Sequence, residues 1–339
     1  MLSMPGYLLL VELIAFTALS SQGARDKLYR DVLIVQSLLL VIFYLVWGGY
    51  SIDSWSYLTG FDGSPLVYEK EWLFYSIGFV LNKLVNDPWP LRIISASCVA
   101  LTIAALMSFF GRHDPRSVVI ALFLMPLLPA FFLSFGNTTR QGLAAAIIIF
   151  CMVRYLKGSV FWLLFAAVLA FLIHQPSVIL IGAIALANID RRWIVFCLAM
   201  APVAGWLGTN LLMTAGIDIN SYLPYATRNE GDYHIAKFLV GYSIAWLLLI
   251  YAGNDNDQKT RVLKAFAITV AVASLLVRFE VPFERILAYS EILLPFALPV
   301  VIQKMNLSGR WLQVFAIGGI GIGWLLWTHH SVVTTLGFA

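Results

Sequence analysis

The sequence predicts an all-α membrane protein, a polytopic transmembrane helical bundle of about twelve spans, from three observations. Of its 339 residues, 60% are hydrophobic and only 12% are charged. A typical soluble domain carries about 25% charged residues, so this chain has too few to cover a water-exposed surface. Apolar stretches near the bilayer-spanning length of roughly 20 residues recur along the whole chain. Disordered, coiled-coil, disulfide-scaffold and soluble enzyme classes are therefore excluded.

Each of these apolar stretches is predicted to be a spanning helix. They occupy residues 4–20, 32–50, 91–110, 118–135, 139–156, 159–173, 176–189, 193–213, 235–252, 262–277, 286–302 and 311–328. The first contains Glu12 and follows no cationic segment, so it is predicted to be a retained helix and not a cleaved signal peptide. Since no soluble domain fits between the spans, residues 1–339 are predicted to form a single integral membrane domain.

Residues 71–86 are apolar but short, and are predicted to form an interfacial or re-entrant helix. Glu71, Tyr75, Gly78 and Asn82 recur at helical spacing as a polar stripe, which is typical of an amphipathic surface helix. If this segment does not cross, the 22 Lys and Arg residues divide 14 to 8 in favour of the cytoplasmic side; if it crosses, they divide 10 to 12. The non-crossing topology places both termini and the longer loops, 51–70 and 214–234, outside.

Three arginines on the predicted outer side are candidate anion-binding residues. Arg140 begins a helix in the sequence GNTTRQG, where its charge adds to the positive end of the helix dipole. Arg278 and Arg285 flank Pro282, and two guanidinium groups suit a pyrophosphate because each pairs with phosphate oxygens bidentately. The alternatives are an interfacial anchor for Arg140, and internal salt bridges with Glu280 and Glu284 for the other two.

Candidate proton acceptors lie on the same predicted side. His174 ends a helix two residues before Pro176, and imidazole is the side chain whose charge changes near neutral pH. An interfacial histidine bonded to a neighbour is the alternative. Asp53 and Glu71 bracket the first outer loop, where either carboxylate could deprotonate or hold a sugar hydroxyl. The sequence shows no metal-ligand spacing, no P-loop and no basic run suited to nucleic acid.

Five short motifs follow one another along the chain. They are Asp53 with Tyr57, Glu71 opening an amphipathic helix, Arg140 with Gln141, His174 with Ser177, and Arg285 with Tyr289 before Pro295. In this order the motifs resemble those of the EpsG family of bacterial exopolysaccharide proteins, related in role to Wzy-type O-antigen polymerases. The resemblance covers roughly residues 30–300, with Pro176 as a departure between His174 and Ser177.

This resemblance implies a metal-independent membrane glycosyltransferase that needs no cofactor. It would join oligosaccharide repeat units carried on a polyprenyl pyrophosphate lipid, on the periplasmic or extracellular face of the bacterial inner membrane. Its partners would be that lipid-linked oligosaccharide, membrane lipids, a flippase and a chain-length regulator, with no nucleic acid. The implied roles are catalysis for Asp53, Glu71 and His174, pyrophosphate binding for Arg140, Arg278 and Arg285, and sugar or acceptor binding for Tyr57, Gln141, Glu280 and Tyr289.

Two other functions stay open at this point. A flippase or transporter of the same lipid-linked oligosaccharide would be expected to carry charges within its spans, whereas here the notable charges gather at one predicted face. That placement favours an enzyme. A ligase of lipid-linked glycans shares nearly all of the chemistry, and the sequence does not separate it from a polymerase.

Overall fold

Helices account for all of the regular structure that can be described. The computed structural model describes residues 26–48, 52–63, 71–111, 114–215, 233–253 and 257–305, and these contain no strand. The all-α prediction is therefore confirmed. The predicted spans 4–20 and 311–328 lie outside the described residues, as does most of the predicted loop 214–234.

The helices longer than one turn are numbered here in chain order within the described ranges. They are α1 Asp26–Trp47, α2 Ile52–Asp62, α3 Trp72–Leu84, α4 Trp89–Phe110, α5 Pro115–Leu124, α6 Thr139–Leu156, α7 Val160–Ile173, α8 Val178–Leu186, α9 Arg191–Thr214, α10 Tyr233–Tyr251, α11 Gln258–Leu275 and α12 Glu280–Lys304.

Only some of these helices are long and apolar enough to cross a bilayer unaided. In the described part of the chain there are five such segments: Tyr29–Trp47, Trp89–Phe110, Thr139–Leu156, Arg191–Leu212 and Val281–Lys304. Shorter apolar helices cover Pro115–Leu124, Val160–Ile173, Gln175–Leu186 and Lys237–Tyr251. The structure thus supports a membrane protein with several spans, while the predicted number of about twelve is not confirmed.

Two predicted segments differ from what is observed. The span predicted at 118–135 is interrupted, since α5 ends at Leu124 and is followed by a 3₁₀ turn, Met125–Leu127, and a short turn, Pro129–Phe132. Prolines 126 and 129 lack the backbone N–H that would continue a helix. The outer loop predicted at 51–70 contains α2, whose aromatic side chains Tyr57 and Phe61 are buried.

Large apolar side chains on the outside of the helices agree with a membrane environment. Helix α7 exposes Val160, Phe161, Leu164, Val168 and Phe171, which lie along one face. Such a contiguous apolar face is rare on soluble proteins, because exposing it to water is unfavourable. In a bilayer the same face contacts lipid chains at no such cost.

The chain divides into two compact units, residues 1–178 with 298–339 and residues 179–297. In the first unit, α6 packs against both α4 and α7, and α3 packs against α2 and α7. In the second unit, α11 packs against α9 and α10. Gly205 of α9 permits the close approach to α11, since a Cβ there would lie 2.4 Å from the Leu275 carbonyl oxygen.

Candidate active site

Helix packing in the first unit brings together four of the predicted site residues, which are Tyr57, Glu71, Arg140 and His174. Helices α6 and α7 are joined by only three residues, 157–159, so they run antiparallel and the start of α6 lies beside the end of α7. Arg140 is in the first turn of α6, and His174 directly follows α7. The packing of α3 on α7 places Glu71, the residue before α3, at the same end.

Glu71 is the centre of this cluster. It occupies the N-cap position of α3, yet its side chain makes no capping hydrogen bond. One carboxylate oxygen, Oε1, lies 2.8 Å from Nδ1 of His174. The other, Oε2, accepts a hydrogen bond from the guanidinium of Arg140 and forms an ion pair with it. Each oxygen of one carboxylate therefore contacts a different functional group.

The backbone around His174 fixes the direction of its ring. His174 is extended, with φ −159° and ψ 101°, and its backbone N–H donates to the carbonyl of Ala170 at 2.7 Å. The 3₁₀ turn Gln175–Ser177 follows, and the Ser177 hydroxyl donates to the His174 carbonyl at 2.6 Å. An ionised carboxylate only accepts hydrogen bonds, so Nδ1 carries the proton in this contact. In the neutral ring, Nε2 then holds a lone pair.

The side chain of Tyr57 contacts that of Arg140 in two ways. Nε of Arg140 donates to the Tyr57 hydroxyl at 3.4 Å, and the guanidinium carbon lies 5.1 Å from the centre of the tyrosine ring. Tyr57 is only 2% exposed. The backbone N–H of Tyr75 donates to the Glu71 carbonyl at 3.4 Å. Tyr75 is not among the predicted site residues, although it falls four residues after Glu71 in the polar stripe of residues 71–86.

A π-helical turn packs against the first turn of α6, which carries Arg140. The π-helical turn Leu133–Asn137 folds back onto the first turn of α6. A Cβ at Gly142 would lie 2.0 Å from the carbonyl oxygen of Ser134, a distance that no side chain tolerates. Glycine at 142 is therefore required for this backbone contact.

The three partners share one electrostatic environment. Burial alone would raise the pKa of Glu71, but the hydrogen bond with His174 and the positive charge of Arg140 outweigh burial and hold that pKa below its usual range. Side-chain exposure falls from 30% for Arg140 to 16% for Glu71 and 10% for His174. Arg140 is thus the member that an external anion reaches most easily.

The amino-acid sequence matches the EpsG family over residues 31–329. The chain belongs to the EpsG family. EpsG proteins are a family of Wzy-like polymerases, so the resemblance noted in the sequence motifs is confirmed. No curated protein and no solved structure matches the chain.

The remaining predicted site residues of this EpsG-family chain are distributed over both units. In the second unit, exposed Arg278 donates to Oδ1 of Asn210 at 2.5 Å, Arg285 is exposed on α12, and Tyr289 is fully buried. Gln141, beside Arg140, is buried. Asp53 lies in α2 and Glu280 opens α12, but their side chains are outside the described part.

A further ion pair, which the sequence did not predict, occurs in the second unit. Lys237 of α10 donates to Glu284 of α12, and the lysine side chain is largely buried. Among the residues that the structure describes, no group of three or more His, Cys, Asp or Glu side chains is arranged to hold a metal ion.

Proposed function

We propose that the protein is a polysaccharide polymerase, a glycosyltransferase that joins oligosaccharide repeat units carried on polyprenyl pyrophosphate. Membership of a Wzy-like polymerase family and the apolar helices support this assignment. The observation that carries the mechanism is the contact of one carboxylate, Glu71, with both Arg140 and His174. This arrangement combines a proton acceptor with an anion-binding cation.

His174 is the general base in this mechanism. Both oxygens of Glu71 are engaged and its pKa is lowered, which makes the carboxylate a poor proton acceptor. Glu71 instead holds Nδ1–H and stabilises the imidazolium that forms. The hydroxyl oxygen of the acceptor sugar bonds to the anomeric carbon of the donor, while its proton passes to Nε2 of His174. The bond from the anomeric carbon to the phosphate oxygen breaks, and its electron pair leaves with polyprenyl pyrophosphate.

Arg140 stabilises that leaving group. Negative charge develops on the pyrophosphate as the glycosidic bond breaks, and a fixed guanidinium in a partly buried site lowers the energy of that state. Arginine pairs bidentately with phosphate oxygens, so no metal or cofactor is needed to neutralise the charge. Tyr57 positions Arg140 and does not itself stack on a sugar, because its ring is buried.

The remaining predicted residues keep subsidiary roles in the proposal. Arg278 and Arg285, both exposed, remain candidates for contacts with further phosphate groups of lipid-linked substrates. Asp53, Gln141, Glu280 and Tyr289 remain candidates for acceptor or sugar contacts. The proposed partners are a flippase that delivers the lipid-linked units and a regulator of chain length.

The proposed topology has about twelve spans, with α3 lying at the outer surface of the bacterial inner membrane and the cluster of Glu71, Arg140 and His174 facing outward. The distribution of basic residues between predicted loops supports this orientation. The exposed apolar residues Trp72, Val80 and Leu84 of α3 suit contact with lipid at that surface. Cysteine labelling at Asp87 tests the topology: labelling from the outer side is expected, and labelling only from the cytoplasm would contradict it.

Substitution of His174 tests the proposed activity. In cells that depend on this protein for polymer, His174→Gln should abolish long chains while single repeat units are still exported. Normal chain length at normal protein levels would refute the role of His174. Loss of exported units altogether would indicate a flippase, and unattached long polymer would indicate a ligase. Glu284→Gln is the matched control, because it removes a carboxylate from an ion pair outside this cluster.

A further inference from the structure

The carboxylate of Glu71 contacts both Arg140 and His174. Its Oε2 contacts Arg140 and its Oε1 contacts His174. Any ligand that withdraws Arg140 from Glu71 therefore changes the environment of His174 without touching the ring. The anion site and the proton acceptor are connected through one side chain.

Arg140 has the capacity to accept such a ligand. A guanidinium carries five N–H donors. Within the described residues, one donates to Tyr57 and one to Glu71, which leaves three for an incoming anion. A phosphate group matches this fork as well as a carboxylate does, and a pyrophosphate carries more negative charge than Glu71. A pyrophosphate at Arg140 thus competes directly with the carboxylate for the same cation.

We propose that Glu71 occupies Arg140 in the substrate-free protein as an internal substitute for the donor pyrophosphate, and that donor binding displaces the carboxylate from Arg140 and leaves it paired with His174 alone. The inference rests on the proposed function, which assigns the pyrophosphate to Arg140 and the proton to His174. Once Arg140 pairs with the phosphate, the negative charge of Glu71 acts on His174 alone. The imidazolium that forms during transfer is then better stabilised, so proton transfer to His174 is most favourable when the donor is in place.

A purely structural ion pair predicts the opposite behaviour. If Glu71 only held Arg140 in a binding geometry, its removal would release the arginine and weaken anion binding. If Glu71 competes with the anion, its removal strengthens binding even though it impairs transfer. The sign of the change in pyrophosphate affinity therefore separates the two roles.

The test is equilibrium binding of inorganic pyrophosphate to the full-length protein in lipid nanodiscs. We expect Glu71→Gln to bind about tenfold more tightly than wild type, and Arg140→Gln to bind about tenfold more weakly, in line with direct competition for one charge-assisted contact. Glu284→Gln, which removes the same charge from the second unit, should leave the affinity unchanged. The gain in Glu71→Gln should persist at high salt, where long-range charge effects are screened.

A second measurement follows the link to His174. In protein labelled with ¹⁵N-histidine, the Nδ1 resonance, assigned by its loss in His174→Gln, should move when pyrophosphate is added to wild type. That movement should be reduced in Glu71→Gln. An unchanged or lower affinity in Glu71→Gln, or an equal movement of the resonance in both proteins, would overturn the inference.

Failure of the inference and failure of the proposed function give different results. If Arg140→Gln weakens binding but Glu71→Gln does not strengthen it, Arg140 keeps its assigned role and the competition is wrong. If neither wild type nor Glu71→Gln binds pyrophosphate, Arg140 is not the anion site, and both proposals fail.

Discussion

The two compact units each contain a carboxylate paired with a cation at the start of a helix, and the two pairs differ in what surrounds them. Glu284 of the second unit contacts the largely buried Lys237. Glu71 of the first unit contacts Arg140 and, through its other oxygen, His174. Charge neutralisation is sufficient to explain the pair of Glu284 and Lys237. The cluster around Glu71 instead joins a titratable ring and a guanidinium group through one carboxylate.

This difference distinguishes the candidate functional site from a structural ion pair. An ion pair at a helix end occurs in many proteins for structural reasons, and its net contribution to stability is modest. A cluster formed by three separate elements, each contributing a different chemical group, has no such simple explanation. The two units therefore predict different responses to the same kind of substitution.

Replacement of each cation by methionine should separate the two pairs most clearly. We expect Arg140→Met to reduce polymer synthesis by about 10²-fold or more, because the leaving group loses its stabilising charge. Lys237→Met should retain activity within about threefold while the melting temperature falls, because Glu284 loses its partner. Polymer length on gels and thermal unfolding measure the two effects. Equal losses of activity in both variants would contradict the distinction.

One glycine in each unit allows a comparison of a tightly packed position with an open one. Gly142→Ala should lower stability by about 1–3 kcal/mol and shorten the polymer, because the new Cβ forces the turn 133–137 away from α6 and displaces Arg140. Gly208→Ala in α9 meets no atom within 4 Å and should change stability by less than about 1 kcal/mol. Thermal unfolding and polymer length are measured for both. A tolerated alanine at 142 would show that Arg140 does not depend on this contact.

The sequence predicted the three members of the cluster, Glu71, Arg140 and His174, but not the contacts between them. Helix periodicity and the short link between α6 and α7 place Arg140 and His174 at one end, because antiparallel neighbours align their opposite termini. The residue types then indicate anion binding and proton transfer. Contact with Glu71 depends on the packing of α3 against α7, which is a long-range feature with no local pattern in the sequence.

Two other parts of the fold also could not be predicted from sequence patterns, because they depend on long-range packing. The apolar run 118–135, which contains two prolines, is predicted to be one span. The structure instead forms three kinds of helical turn after Leu124. Helix α2 has few features of a spanning helix, and was predicted as loop, but its aromatic side chains pack on α3. Tertiary packing decided both cases.

The pH dependence of the stability that Glu71 contributes is expected to be a smaller effect. Its pKa is lowered in the folded protein by His174 and Arg140, which outweigh burial. The carboxylate therefore adds stability above the unfolded value of about 4.3, and this contribution is lost as pH falls through the lower folded value. Wild type should exceed Glu71→Gln by about 1–2 kcal/mol at pH 7, and the difference in melting temperature should shrink below about pH 4. A difference independent of pH would contradict this assignment.

The smallest predicted effect concerns the hydroxyl of Tyr57, which accepts from Nε of Arg140 at the long distance of 3.4 Å. Tyr57→Phe removes that acceptor but keeps the ring beneath the guanidinium, so activity should fall only about two- to fivefold, as for a weak hydrogen bond. Tyr57→Leu also removes the aromatic face, so activity should fall further than in Tyr57→Phe. If the polymerase reaction instead needed the hydroxyl for sugar binding, Phe and Leu would be equally inactive. Rates of repeat-unit transfer in nanodiscs distinguish support of Arg140 from contact with substrate.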